Sequence, residues 1–239
     1  MEQFLNFNDR NMDRDFYPAD TEKLFRKNKK RENSDWIYRT KAIRYKTNEL
    51  GFRAPPMKNI DWKNTIVVFG CSNVFGIGLA EEDTLCHQLQ EIIGIPVVNL
   101  GIPGSAIDLA CFNSFFLHQN FPFPKSIVQI WTSLERYTRF VSKKEVLAGH
   151  PVNRDYIRTM KWGERSKIHI AQDKELWRRE PVIYYQGSFF AETVRKNKDI
   201  VHLHTGEDKA RDLMHPGITD NRLAAEKVSK YLIAQGINP

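Results

Sequence analysis

A chain of 239 residues has room for one α/β domain with extensions or for two small domains, and enough length to bury a substantial core. Its apolar content of 41% and charged content of 27% exclude a disordered polyanion or a low-complexity chain, and the lack of any run of about 18 apolar residues excludes a membrane-spanning helix. The net charge of +7 is concentrated early: Lys23, Arg26, Lys27, Lys29, Lys30, Arg31, Arg39, Lys41, Arg44 and Lys46 outweigh Glu22, Glu32 and Asp35. Such a patch can meet a polyanion, but no nucleic-acid motif accompanies it, and a solvated basic surface is the expectation.

In chain order, residues 1–60 read as a basic extension that packs on the core. The first residues are polar and acidic and do not form a signal peptide, so the expected setting is cytoplasmic or virus-encoded. Within the extension, Asn48-Glu49-Leu50-Gly51-Phe52-Arg53 is a compact island. Asn48 and Gly51 suit a tight turn, and Leu50 and Phe52 suit docking on the main body. Ala54-Pro55-Pro56 then imposes an extended exit.

The main body, residues 61–239, begins its core near Thr65. Ile66 to Phe69 form a short apolar, β-branched run bounded by turn residues, which predicts a buried parallel strand. It ends at Gly70-Cys71-Ser72-Asn73. A serine at the C-terminal tip of a buried strand sits where open α/β sheets place their ligands. Leu85, Leu89, Ile92 and Ile93 share one face of a predicted helix over 82–93, which Gly94 ends. Pro96 to Leu100 is a second strand, 107–119 a helix, and Ser126 to Trp131 a third strand. From about 143 to 180 the pattern weakens into an insertion placed to cover the site. Residues 181–196 read as a helix broken near Gly187, Asp199 to His204 as a strand, and 219–235 as the last helix, with Leu223, Val228, Tyr231 and Leu232 toward the core. Strands alternating with helices imply a parallel sheet.

Three free cysteines without metal-ligand spacing fit a reducing compartment. His202 and His204 share a strand face but have no third ligand near in sequence, so no metal is expected. Trp162, Trp177, Tyr184 and Tyr185 can line a sugar cleft, although lid or core packing is the commoner use of such residues. The Gly76-Ile77-Gly78 pair has no nucleotide-binding signature, and no cofactor is expected.

Just before the last helix stands Asp212-Leu213-Met214-His215-Pro216. An aspartate three residues before a histidine can orient the imidazole, and a histidine so held can take the proton of a serine hydroxyl. The three blocks, Gly70-Cys71-Ser72, Asn99-Leu100-Gly101-Ile102-Pro103-Gly104 and Asp212-x-x-His215, together resemble the SGNH/GDSL hydrolase family. The Asn48–Arg53 island resembles a segment that often precedes the first block in that family. The resemblance implies a three-layer α/β/α sandwich with a flavodoxin-like parallel sheet. It implies a serine esterase working through an acyl-enzyme on a small-molecule or carbohydrate ester, with O-deacetylation of carbohydrate as a specialisation. It further implies Ser72 as nucleophile, His215 as base and then acid, Asp212 as its orienting carboxylate, and the N–H groups of Ser72 and Gly101 as oxyanion donors. Cys71 replaces the family's usual aspartate. The family's third-block asparagine is missing, which leaves Thr132, Ser133 or Asn73 as a third donor. Arg136 is a candidate for a substrate carboxylate or for pairing with Glu135. No membrane contact is expected, since no interfacial helix is evident. The alternative is an SGNH-like module without catalysis that binds a partner through its basic segment.

Overall fold

The computed structural model describes residues 4–132, 136–140, 146–149, 171–172, 182–186, 201–204 and 206–238. Elements follow in chain order as β1 (Asp13–Arg14), α1 (Glu22–Arg31), β2 (Tyr45–Lys46), β3 (Ile66–Gly70), α2 (Ser72–Phe75), α3 (Leu85–Ile93), β4 (Val97–Gly101), α4 (Ile107–Asn120) and β5 (Ser126–Trp131). They continue as β6 (Tyr137–Phe140), β7 (Val146–Gly149), β8 (Val182–Gln186), β9 (Val201–His202) and α5 (Ile218–Ala234).

The sheet is parallel throughout, in the order β4-β3-β5-β8-β9. In sequence terms this is the flavodoxin-like order 2-1-3-4-5. Successive side chains of a strand face opposite ways, and the central strands use both faces. Val67, Phe69, Ile127 and Trp131 pack with Leu109, Ala110, Phe116 and Leu117 of α4. Ile66, Val68, Val128 and Ile130 pack with Leu85, Leu89 and Ile93 of α3 and with Ala224, Val228 and Leu232 of α5. The result is three layers, α/β/α, with apolar strands covered on both sides, as buried parallel strands require. Among the described residues no helix is long and apolar enough to cross a membrane.

Local signals set the helix ends. The Thr84 hydroxyl caps α3 by accepting from His87 N–H at 3.3 Å, and Gly94 closes it in the left-handed region at φ 69°. In α5, Val228 and Leu232 are buried, Leu223 is half-buried, and Tyr231 stays exposed.

One reading needs revision. Residues 182–186 form β8, not a helix, pairing in parallel with β5 on one side and β9 on the other. The run Val182-Ile183-Tyr184-Tyr185 is β-branched and aromatic, and that composition favours a strand over the helical spacing read from it. The N-terminal segment has secondary structure of its own. It forms α1 and a small antiparallel pair, β1 with β2. Phe4, Leu5 and Phe52 enter the α4-side core, and the Asn113 side-chain amide binds Leu5 at both N–H and C=O, each at 2.8 Å. Met12, Tyr38, Ile43 and Tyr45 build a third cluster with Phe75, Ile77, Leu79 and Ala210. Of the insertion read at 143–180, only residues 146–149 and 171–172 are described; β7 pairs there with β6. Trp162 and Trp177, and the side chains of Tyr184 and Tyr185, lie outside the described residues.

Candidate active site

The site is assembled from two loops at the C-terminal end of the sheet. The first is the turn leaving β3. Gly70 ends the strand in register with Gly101 of β4, Cys71 caps α2, and Ser72 opens it. Ser72 is buried, and its N–H makes no hydrogen bond among the described residues. Its Oγ lies 4.0 Å from Cys71 Sγ, so the buried Cys71 thiol packs beside the hydroxyl.

Arg53 fixes the chain just beyond. Its wholly buried guanidinium donates to the carbonyls of Phe75 (3.3 Å), Gly76 (2.9 Å) and Leu79 (3.0 Å) and pairs with Glu81 at 2.5 Å. The island Asn48–Arg53 thus has a second purpose besides docking Leu50 and Phe52. Asn48 Oδ1 accepts from the N–H groups of Leu50 and Phe52 and shapes the turn that delivers Arg53.

The second loop precedes α5. Asp208 caps that helix from outside, accepting from Thr219 and Asp220 N–H at 3.1 and 2.8 Å. The loop closes on itself through Ala210 N–H to His215 O at 3.0 Å, and Leu213 adopts a positive φ of 61°. Asp212 is fully buried and holds the turn and the imidazole together. Its Oδ1 accepts from the backbone N–H of Met214 (3.0 Å) and His215 (3.1 Å), and its Oδ2 stands 2.5 Å from His215 Nδ1. An ionised carboxylate can only accept, so Nδ1 carries the proton and the Nε2 lone pair is left to act as a base.

The loops meet at Gly78. Arg211 N–H donates to Gly78 O at 3.1 Å. A Cβ at Gly78 would stand 2.7 Å from Ala210 Cβ and 2.9 Å from Arg211 N, and φ there is +77°, so only glycine permits this approach. The structure therefore brings Asp212 and His215 together and docks their loop on the segment that follows Ser72. A Ser72–His215 hydrogen bond is not formed among the described residues.

Gly101, expected as an oxyanion donor, is the last residue of β4. Its N–H donates to Asn99 Oδ1 at 3.0 Å, and its α-carbon packs against Val74 and Phe75 of α2. Three residues on, Gly104 has a positive φ of 79°, and its N–H makes no hydrogen bond among the described residues. Ile102 N–H and Ser105 Oγ both donate to Gly70 O, at 2.9 and 3.3 Å, which hangs the Gly104 turn on the residue two before the serine.

Thr132 is buried at the end of β5, Asn73 is half-buried beside Ser72, and Ser133 lies outside the described residues. Arg136 Nη1 reaches Ser105 O at 3.5 Å, next to the Gly104 turn. Among the described residues no group of three His, Cys, Asp or Glu side chains is placed to hold a metal ion. The His204 side chain is buried, with Nδ1 3.7 Å from Asp220; burial holds its imidazole down, to about 4, against the opposing pull of that carboxylate.

No protein-family model matches the sequence, and no curated protein does. Solved structures do resemble the chain. One is a lipolytic protein of the G-D-S-L family from Desulfitobacterium hafniense DCB-2, at 16% identity over 71% of this chain and 100% of that one, with a TM-score of 0.45. Another is the acetyl xylan esterase Est2A from Butyrivibrio proteoclasticus, at 10% identity over 82% and 67%, with a TM-score of 0.47. A third is a carbohydrate esterase family 2 enzyme with a carbohydrate binding domain from Corynascus thermopiles (Myceliophthora fergusii), at 11% identity over 73% and 67%, with a TM-score of 0.44.

Proposed function

We propose that this chain is a serine esterase of the SGNH type that cleaves carboxylic esters through an acyl-enzyme. The observation that carries the reading is the Asp212–His215 pair: a fully buried carboxylate 2.5 Å from Nδ1, its other oxygen spent on the turn's own N–H groups. That arrangement fixes the tautomer and the ring direction that a general base needs.

In this reading His215 Nε2 takes the Ser72 proton as Oγ attacks the ester carbonyl. Asp212 stabilises the imidazolium that forms, which then protonates the leaving alcohol. Water attacks the acyl-enzyme in the same way in reverse. The N–H groups of Ser72 and Gly104 receive the oxyanion, and a donor so placed is worth about 3–4 kcal/mol in the transition state. Thr132, Ser133 and Asn73 stay candidates for a third donor, and Arg136 for contact with substrate. O-acetylated carbohydrate is the substrate class to try first.

One observation favours the other reading, a binding module without catalysis: the Ser72–His215 bond is not formed. Catalytic hydrogen bonds of empty sites often close only around substrate. Acetate release from acetylated xylooligosaccharides and hydrolysis of p-nitrophenyl acetate separate the two. The esterase turns over at least one of them, and His215→Ala loses at least about 10³-fold in kcat. Equal, buffer-like rates from both proteins contradict it.

A further inference from the structure

The two loops of the site are joined by a closed ring of buried polar groups that the ester chemistry does not use. It starts and ends on the backbone of Gly78. The Gly78 N–H donates to the Tyr45 hydroxyl oxygen at 2.7 Å. That hydroxyl donates to Asp20 Oδ2 at 2.6 Å. The same carboxylate oxygen accepts from Arg211 Nη2 at 2.7 Å and Nε at 3.0 Å. The Arg211 backbone N–H then returns to Gly78 O at 3.1 Å.

The ring is dry. Asp20 and Tyr45 are wholly buried, and the Arg211 side chain is 5% exposed. The remaining faces of Arg211 are also occupied. Nη2 donates to Asp15 O at 2.6 Å, its carbonyl accepts from Asn28 Nδ2 of α1 at 2.9 Å, and the guanidinium lies over the rings of Phe16 (4.7 Å) and Phe25 (5.4 Å). Burial, reinforced by the Asp20 charge, pushes the Tyr45 phenol well above its ordinary range, so the hydroxyl keeps its proton and can donate.

Why the fold needs this ring follows from what lies on either side of it. Ser72 is six residues before Gly78, and Asp212 follows Arg211 directly. The apolar contacts between the two segments, Ala210 with Phe75, Ile77 and Leu79, are non-directional. Hydrogen bonds fix distance and angle. A misplacement of about 1 Å between reacting groups costs about 100-fold in rate.

We propose that Arg211, Asp20 and Tyr45 are positioning residues of the site, through which the N-terminal segment holds the Asp212–His215 loop in register with Ser72. The segment is then part of the active enzyme. This inference rests on the esterase reading above.

Tyr45→Phe tests it with the smallest change. The ring keeps its stack on Phe75 and its place under Arg53, and only the hydroxyl is lost. Tyr17→Phe is the matched control. Tyr17 belongs to the same aromatic cluster, and its hydroxyl donates to Asn8 Oδ1, outside the ring. Steady-state hydrolysis of p-nitrophenyl acetate is measured on full-length folded protein. For Tyr45→Phe, kcat is expected to fall at least about tenfold with KM within about twofold, while Tyr17→Phe keeps wild-type values. If Tyr45→Phe does not fold, Arg211→Lys, which keeps the charge and loses the fork, is measured with the same expectation. A folded variant with wild-type kcat, or an equal loss in Tyr17→Phe, overturns the inference and leaves the esterase reading standing. An inactive wild type overturns both.

Discussion

The parallel sheet and the N-terminal segment draw on different mixtures of forces. Strand β3 is apolar up to its closing glycine, β5 is apolar apart from Ser126 and Gln129, and both are covered on both faces by helices. Burial of this kind is non-directional and roughly proportional to area. The N-terminal segment also packs apolar side chains against the site segments, and to these it adds buried ionic and polar contacts from Asp20, Arg53, Tyr45 and Asn28. Those contacts depend on charge and direction. The difference teaches a division of labour. The sheet supplies a frame that tolerates changes of apolar shape, and the segment supplies the angles at which two loops meet.

Shape-preserving substitutions sharpen the contrast most. Asp20→Asn keeps volume but leaves Arg211 buried without its counter-charge, and about 3–5 kcal/mol of stability is expected to be lost. Ile66→Val in the sheet removes one methylene from a fully buried side chain and is expected to cost about 0.5–1.5 kcal/mol. Urea unfolding of the three proteins checks both values. Equal losses would erase the distinction.

A pH-dependent effect is expected from His204, on the α5 side of the frame, where burial holds the imidazole down to about 4 from an ordinary 6.5. Between those values the unfolded chain binds a proton that the folded chain refuses, so this group makes stability fall as pH falls from about 6.5 toward 4. The urea midpoint is expected to drop between pH 7 and 5 in wild type and to drop less in His204→Gln. A larger drop in the variant would place the imidazole charged in the folded protein.

The same contrast explains what could be read in advance. The strands at 66–70, 97–101 and 126–131 announce themselves by composition, and the helices at 85–93 and 218–234 by spacing and end signals. Asp212, three residues before His215, needs only one turn to meet it, so that pair was legible too. Arg211, Asp20 and Tyr45 were not. They come from sequence positions about 20, 45 and 211, and no periodicity relates a buried carboxylate to a cation 191 residues away. Gly101 and Gly104 stand in one block of sequence; only the end of β4 shows which N–H is already spent on Asn99. Residues 182–186 were misread because a short apolar run fits either a helix or a strand until its neighbours are known.

The most direct test of the central claim is fluorophosphonate labelling of wild type and Ser72→Ala at neutral and mildly alkaline pH, read by intact mass and peptide mapping. The expected result is a single stable adduct on Ser72 of the wild type and none on the variant. A folded wild type that takes no adduct, or an adduct that persists in Ser72→Ala, would contradict an activated serine at this site.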